Sequence, residues 1–175
     1  ELDFVSVLTA LVRLLAGLDA GVIAKLLQER ITYMPGARTL IATMKAHGAY
    51  SALVSGGFTA FTEPVAAALG FDEQQANHLV IEGGRLTGAV EPPILGQRAK
   101  LEALRRVTGR LGLEPADALA VGDGANDLAM LAEAGMGVAL HAKPTVQENA
   151  LIRVNHGDLT ALLYLQGYSK AQFRS

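Results

Sequence analysis

The chain has 175 residues, half of them hydrophobic and 18% charged, and its 17 acidic and 15 basic residues give a formal net charge of -2. This composition excludes general disorder and, without a Lys/Arg-rich stripe, disfavours nucleic acid as a partner, while the length fits one domain with at most a small appendage. The absence of cysteine excludes disulfides and thiolate metal sites, and no apolar run approaches the roughly 20 residues of a membrane span, so we expect a soluble cytoplasmic protein.

The first elements are helical. Apolar residues at helical spacing over residues 5–30 predict two helices in a hairpin, with a break at Gly17 and Asp19. A loop at Met34-Pro35-Gly36 follows, and an amphipathic helix after it is expected to stop near Gly48. Any domain boundary is therefore expected close to that loop.

The middle of the chain is rich in strand signals. Residues 49–54 form an apolar run that predicts a strand, and Ser55-Gly56-Gly57 predicts a glycine turn into another helix. Two strand-like segments, 78–81 and 85–90, are joined across Glu82-Gly83-Gly84, which predicts a β-hairpin.

Predicted helices and strands alternate regularly from residue 98 to residue 140. The pattern predicts helix 98–112, strand 118–121, helix 127–134 and strand 137–140. Strands that alternate with helices of this length are typical of an α/β fold with a parallel sheet covered by helices on both faces. We therefore predict an α/β protein.

Two unusual loops follow predicted strands, at the sheet edge where α/β proteins bind ligands. In Gly122-Asp123-Gly124 the glycines would present a carboxylate on a tight turn. Asn126 and Asp127 open the next helix, and Asp127 taken alone is best interpreted as an N-cap. Together these oxygens favour a hard cation such as Mg²⁺, which usually takes one or two protein carboxylates with water and a substrate phosphate.

A phosphate would also explain the other loop and an unusual lysine. In Ser55-Gly56-Gly57 a hydroxyl and successive amides precede a helix, which suits an anion, although an ordinary glycine-rich turn is an equal interpretation of the loop alone. Lys100 begins a helix, where the dipole disfavours a cation, so a ligand is one reason for its presence there. Most lysines on helices are simply solvated, so Lys100 indicates a ligand site only in combination with the two loops.

Several segments of the chain together carry a resemblance. They are "LVSGGF" at 53–58, "AKLEAL" at 99–104 and "VGDGANDLAML" at 121–131, with "ELDF" at 1–4, "PGARTL" at 35–40, "GGRLTG" at 83–88 and "HAKPTVQENA" at 141–150. In this order and at these separations they resemble the phosphoserine phosphatase family of the haloacid dehalogenase superfamily, along essentially the whole chain. "GDGxND" alone is shared with other members, such as cation-pumping ATPases, so the phosphoserine assignment depends on the combination of motifs.

The resemblance implies a three-layer α/β fold, in which a Rossmann-like parallel sheet lies between helices and carries a small helical cap. Residues 1–33 would be the remainder of the cap, and residues 34–175 would be the core, including the β-hairpin at 77–91. The N-terminal part of the core would be missing from this chain.

The resemblance also implies the chemistry. In the family an aspartate attacks phosphorus, and water hydrolyses the resulting aspartyl-phosphate. Lys100 and Ser55 would be catalytic, Lys100 by neutralising the phosphoryl group. Mg²⁺ would be the cofactor, bound directly by Asp123 and indirectly by Asp127. The substrate, expected to be O-phosphoserine, would contact residues from several parts of the chain: Phe4, Ser55, Gly56, Lys100 and Asn126.

One departure concerns the nucleophile. The family's first motif, Asp-x-Asp-x-Thr/Ser after a strand, does not occur among the 175 residues. We therefore expect the chain to be a fragment, or to be preceded by further residues of the same protein, and to be inactive alone. A phosphate-binding or regulatory module without catalysis is the alternative.

A second departure concerns the substrate. The family usually has an arginine seven residues beyond the position of Phe4, where it holds the substrate carboxylate, and this chain has Leu11 there. Arg13 is two residues away, about 200° around a helix, and does not simply replace it. A phosphatase for another small phosphomonoester is therefore the second alternative.

Overall fold

The computed structural model describes residues 4–96 and 98–175. The described residues up to Gly96, with Asp158–Ser175, form one compact unit, and those from Arg98 to Gly157 form a second. The described part of each unit contains a three-stranded sheet. In chain order the helices and strands are α1 (Phe4–Arg13), α2 (Gly21–Glu29), α3 (Ala37–Ala46), β1 (Ala52–Phe58), α4 (Thr59–Leu69), β2 (Glu73–Glu82), β3 (Arg85–Glu91), α5 (Ala99–Arg110), β4 (Leu119–Gly122), α6 (Leu128–Glu133), β5 (Met136–Leu140), α7 (Pro144–Asn149), β6 (Ile152–Val154) and α8 (Ala161–Leu165).

The sheet of the first unit has the order β1-β2-β3 and mixes two kinds of pairing. β1 and β2 are parallel and joined by helix α4, whereas β2 and β3 are antiparallel. β2 begins at Glu73, four residues before residue 77, where the hairpin was expected to begin. Glu73, Gln74 and Gln75 lack the apolar alternation typical of strands, which explains why this half of the strand was missed.

The predicted hairpin is confirmed, and it is joined to the first two helices. Gly83 and Gly84 both have positive φ, +54° and +75°, as a tight two-residue hairpin turn requires. The Gly17 amide donates to the carbonyl of Leu86, and the Leu86 amide donates to the carbonyl of Leu18. The predicted helical hairpin is therefore docked through its loop on β3. The division into a cap and a core at residue 33 stays a prediction. The two compact units divide the chain elsewhere, between residues 96 and 98 and between Gly157 and Asp158.

The predicted glycine turn after β1 is wrong. The strand continues through Ser55-Gly56-Gly57 to Phe58, and the glycines of this segment do not have positive φ. The register with β2 shifts here, so that these three residues of β1 stand opposite Ala76 alone. The segment is a β-bulge, because extra residues in one strand leave the ladder and bend the chain. Glycine is common in bulges as well as turns, and the sequence did not distinguish the two.

The second unit carries an all-parallel sheet of order β4-β5-β6. Its middle strand, β5, is buried, with Val138 and Ala139 at zero exposure, as expected for a parallel strand covered on both faces. The predicted strands and α5 are confirmed to within two residues, whereas α7 and β6 were not predicted. The expected α/β class with parallel strands and covering helices is confirmed. No helix in the described parts of the chain is both long and apolar enough to cross a membrane.

Candidate functional site

Asp127 is fully buried and organises the loop that follows β4. Its Oδ2 accepts hydrogen bonds from the amides of Asp123 and Gly124, each at 3.0 Å. Asp127 is the N-cap residue of α6 as predicted, but its side chain makes no capping hydrogen bond to that helix. The carboxylate turns back instead and fixes the backbone that presents Asp123.

The other oxygen of Asp127 faces Lys100. Lys100 Nζ lies 2.5 Å from Asp127 Oδ1, and the side chains are 18% and 1% exposed. Oδ1 has no aligned hydrogen bond among the described residues, so this contact is primarily an ion pair. The pair explains the lysine in the first turn of α5, because a buried carboxylate offsets the unfavourable helix dipole.

Glycines on either side of Asp123 allow the close packing of this loop. A Cβ added at Gly122 would lie 2.4 Å from the Cβ of Asp127, so only glycine fits there. A Cβ at Gly124 would lie 2.6 Å from Asn126 Oδ1, which places that carboxamide over the loop. Asp123 itself is exposed at the end of β4. The loop therefore combines an exposed carboxylate with a buried one.

A second turn supports Asp123 from β5. The Lys143 amide donates to the carbonyl of Asp123 at 3.1 Å. His141, just before it, has a positive φ of 46°, a conformation that is unusual for a non-glycine residue. A nitrogen of its ring lies 3.0 Å from the carbonyl of Gly157. The sequence does not indicate this contact, because the contact depends on the backbone conformation at the end of β5.

An exposed ion pair braces the helices of this unit. Arg105 of α5 makes two hydrogen bonds of 2.5 Å to the carboxylate of Glu133 at the end of α6. The hydrogen bonds from Arg105 lower the pKa of Glu133 from its usual value, and those to Glu133 raise the pKa of Arg105. The brace joins the helix that carries Lys100 to the helix that follows the Asp123 loop.

In the first unit, two side chains hold the bulge of β1. The Gly57 amide donates to Ser55 Oγ at 3.0 Å, and Asn77 Nδ2 donates to the carbonyl of Gly56 at 3.0 Å. Asn77 is 1% exposed, and its Oδ1 accepts a hydrogen bond from the Leu95 amide at 2.7 Å. Asn77 was missed from the sequence, although an amide in the middle of an apolar strand is a usable signal, because buried polar groups need partners.

Phe4 also contacts the bulge. A Cβ added at Gly56 would lie 3.2 Å from Phe4 Cζ, so the ring packs directly on the glycine. Leu11, on the same helix, is 58% exposed.

The structure thus places the predicted residues in two sets. Phe4, Ser55 and Gly56 meet in the first unit, and the second unit brings together Lys100, Asp123, Asn126 and Asp127.

Comparison with known proteins identifies relatives along nearly the whole chain. A family model described as haloacid dehalogenase-like hydrolase matches residues 1–132. The phosphoserine phosphatase of Streptomyces coelicolor is 48% identical over 172 residues, covering 98% of this chain and 42% of that protein. The phosphoserine phosphatase of Albidiferax ferrireducens is 44% identical, covering 93% of this chain and 70% of that protein. The chain spans less than half the length of the first curated relatives it matches.

Solved structures of phosphoserine phosphatases are also similar to this chain. A phosphoserine phosphatase described as a phospho-aspartyl intermediate analogue has a TM-score of 0.87 and 38% identity, covering 94% of this chain and 78% of that one. A substrate-bound phosphoserine phosphatase complex has a TM-score of 0.88 at the same identity and coverage.

Proposed function

The chain belongs to the haloacid dehalogenase-like hydrolase family, and we propose from this premise that the protein is a Mg²⁺-dependent phosphoserine phosphatase. It would hydrolyse O-phosphoserine with water to serine and phosphate, through an aspartyl-phosphate, in the cytoplasm. The observation that carries the proposal is the Lys100–Asp127 pair beside Asp123 at the end of a parallel strand. A rigid cation next to an exposed carboxylate suits a phosphate ester with a divalent metal ion.

Each part of the second unit has a task in this proposal. The ammonium of Lys100 would neutralise charge on the phosphoryl oxygens, and Asn126 would donate to the phosphate. Asp127 would act indirectly, because its Oδ2 is engaged by two amides and its Oδ1 faces Lys100. The charges are already in place before substrate arrives, which is how preorganised sites stabilise a transition state.

The predicted residues of the first unit also have tasks in this proposal. Ser55 Oγ and the Gly56 amide would hold the phosphoryl group, because the bulge lies at the carboxyl end of β1, where α/β sheets bind ligands. The ring of Phe4 would contact the substrate beside Gly56.

The donor set of Asp123 fits Mg²⁺. This carboxylate is exposed, and no cluster of three or more His, Cys, Asp or Glu side chains occurs within residues 4–96 and 98–175. Mg²⁺ commonly uses one or two protein carboxylates and completes its shell with water and substrate oxygens. Asp123 would be the direct ligand, and the bound ion would supply charge stabilisation to the phosphate.

The nucleophile is a separate part of the proposal. The Asp-x-Asp motif that supplies it in the family is absent from the 175 residues. We therefore expect no turnover from a polypeptide of these residues alone. The natural gene product, with whatever other residues it carries, should hydrolyse O-phosphoserine. Hydrolysis by the 175-residue polypeptide would contradict the assignment of the nucleophile.

The test compares lysines in the natural gene product. Lys100→Met should lower kcat by about two to three orders of magnitude, as for other charge-stabilising groups. Lys45→Met is the matched control, because Lys45 also lies on a helix and pairs with an aspartate, Asp72, but is half exposed and lies in α3. Equal activity of both variants would contradict the role of Lys100. Removal of Mg²⁺ with a chelator should abolish turnover.

A phosphatase for another small phosphomonoester is the second candidate, favoured by the exposed apolar Leu11. The resemblance implies an arginine at this place for a substrate carboxylate. Rates on phosphoserine, phosphothreonine and sugar phosphates distinguish the two, and a preference for sugar phosphates would support this candidate. If phosphoserine is the substrate, Leu11→Arg should lower its KM.

A further inference from the structure

We propose that Asn77 is a positioning residue for the phosphate-binding bulge of β1. The inference rests on the proposed function, because it assigns Asn77 a role in the binding of a phosphate by Ser55 and the Gly56 amide. Asn77 belongs to neither the catalytic nor the metal-binding set, and it would act through the backbone that it holds.

The bulge creates a need for a hydrogen-bond donor. Between Val54 and Phe58, β1 has three residues where β2 has one, so the regular ladder is interrupted. Backbone groups that leave a ladder in a protein interior need other partners. Asn77 supplies one, since its Nδ2 donates to the Gly56 carbonyl at 3.0 Å. A side chain of β2 thus does what a backbone amide does elsewhere in the sheet.

The second hydrogen bond of Asn77 makes this contact rigid. Its Oδ1 accepts from the Leu95 amide at 2.7 Å, and the side chain is only 1% exposed. A buried carboxamide bonded at both ends has one favourable orientation, because turning it would leave two polar groups unsatisfied. The Gly56 carbonyl is therefore held at a fixed place.

The orientation of the Gly56–Gly57 peptide follows from that bond. Its carbonyl is held by Asn77, and its amide nitrogen, at Gly57, donates to Ser55 Oγ. The same peptide thus links the carboxamide to the serine hydroxyl. Loss of Asn77 would free the peptide to rotate, which would displace the donors proposed to hold the phosphoryl group.

Two variants of the natural gene product test the inference. Asn77→Leu removes both hydrogen bonds at similar volume, and Asn77→Asp at pH 8 keeps the acceptor for Leu95 but places an oxygen against the Gly56 carbonyl. Both should lower kcat/KM for O-phosphoserine, and raise the inhibition constant of orthophosphate, by about ten- to a hundredfold, as second-layer changes do at other sites. Amide hydrogen exchange at Gly57 should become faster.

Thr43→Val is the matched control for lost stability. Thr43 is fully buried in the same unit, and its hydroxyl accepts a hydrogen bond from the Arg174 amide at 2.8 Å. This variant should lower the melting temperature comparably and leave the inhibition constant of orthophosphate unchanged. Asn77→Leu combined with Ser55→Ala should lose less than the two single effects added, since both act on one peptide.

The outcomes separate the two proposals. If the wild-type protein hydrolyses phosphoserine, and Asn77→Leu and Asn77→Asp bind orthophosphate as Thr43→Val does, Asn77 is only structural and the inference is overturned. If the wild-type protein neither hydrolyses phosphoserine nor binds orthophosphate, the proposed function fails and the inference fails with it. If Ser55→Ala has no effect while turnover is normal, the bulge is not the phosphate site and the inference is likewise rejected.

Discussion

The backbone at the carboxyl ends of β1 and β4 is held in place by two different kinds of side-chain contact. Each strand lies at the edge of its own sheet, and its carboxyl end is beside or within a glycine-containing segment with candidate site residues. After β4, a buried carboxylate with a lysine partner holds the backbone. In β1, a neutral carboxamide and a hydroxyl hold it.

The difference shows where each segment is vulnerable. A buried ion pair is costly to break, because the remaining charge has no partner, so the loop after β4 tolerates little change. A neutral hydrogen-bonded bulge loses only one or two bonds, and its contact with Phe4 involves a side chain that can rotate. We expect substitutions in the charged loop to lower the free energy of unfolding. Substitutions in the bulge should mainly displace the groups proposed to hold the phosphoryl group.

The largest expected effect comes from Asp127→Ala. It leaves the ammonium of Lys100 and the amides of Asp123 and Gly124 without their partner. The free energy of unfolding should fall by about 3 kcal/mol, at the low end for buried pairs because the lysine is partly exposed. Urea denaturation measures this. Asp127→Asn should lose less, and a loss below about 1 kcal/mol for alanine would show that the pair is not effectively buried.

The next largest effect is the difference in stability loss between alanine substitutions at two glycines, Gly122 and Gly56. Gly122→Ala should cost about 1–3 kcal/mol, because the new methyl would overlap the Cβ of Asp127. Gly56→Ala should cost less, because the ring of Phe4 can move away. Gly109→Ala is the control, since that glycine lies in α5 with no atom near the added Cβ, and it should gain about 0.5–1 kcal/mol. Equal losses at Gly122 and Gly56 in thermal unfolding would contradict the contrast.

A smaller effect is expected from Ser55→Ala. The Gly57 amide loses its acceptor, which should cost about 0.5–1.5 kcal/mol. Ser55→Thr keeps the hydroxyl and should retain most of the stability. If Ser55→Ala matches Asp127→Ala in urea denaturation, the neutral bulge is as sensitive as the charged loop, and the comparison between the two segments fails.

The smallest expected effect is on the pH dependence of stability. It comes from Asp158, a charged residue of the same unit as the neutral bulge. Hydrogen bonds from the hydroxyl and then the amide of Thr160 lower the pKa of Asp158 from its ordinary 3.8. The folded state thus favours the carboxylate, whose contribution is complete above that ordinary pKa and is lost as pH falls through the lowered one. Asp158→Asn should flatten stability against pH below about 4, and an unchanged slope would contradict this.

The longer helices and two strands of the second sheet could be predicted because their signals are local. The apolar spacing in α1, α2 and α3, and the short apolar runs of β4 and β5, follow directly from period and burial. The motif containing Asp123 was identified for the same reason, since a carboxylate between two glycines after an apolar run stands out in the sequence alone.

The contacts that hold the candidate site could not be predicted in this way. Asp127 was interpreted as an N-cap because its sequence position suits one, whereas its partner Lys100 is 27 residues earlier and meets it only in the folded chain. Ser55-Gly56-Gly57 has the composition of a turn, and its role as a bulge depends on pairing with β2. Nonlocal partners decided both cases.

Because of the Gly83-Gly84 turn, β2 is expected to pair with β3 during folding before it pairs with β1. A hairpin closes within about 1–10 μs, whereas the parallel partner β1 must wait for α4 to form and cross over. We therefore expect the hairpin to form first and to set the register that β1 later meets. A slip by one residue would turn Asn77 to the opposite face of the sheet, so a two-glycine turn decides early whether the bulge can form at all.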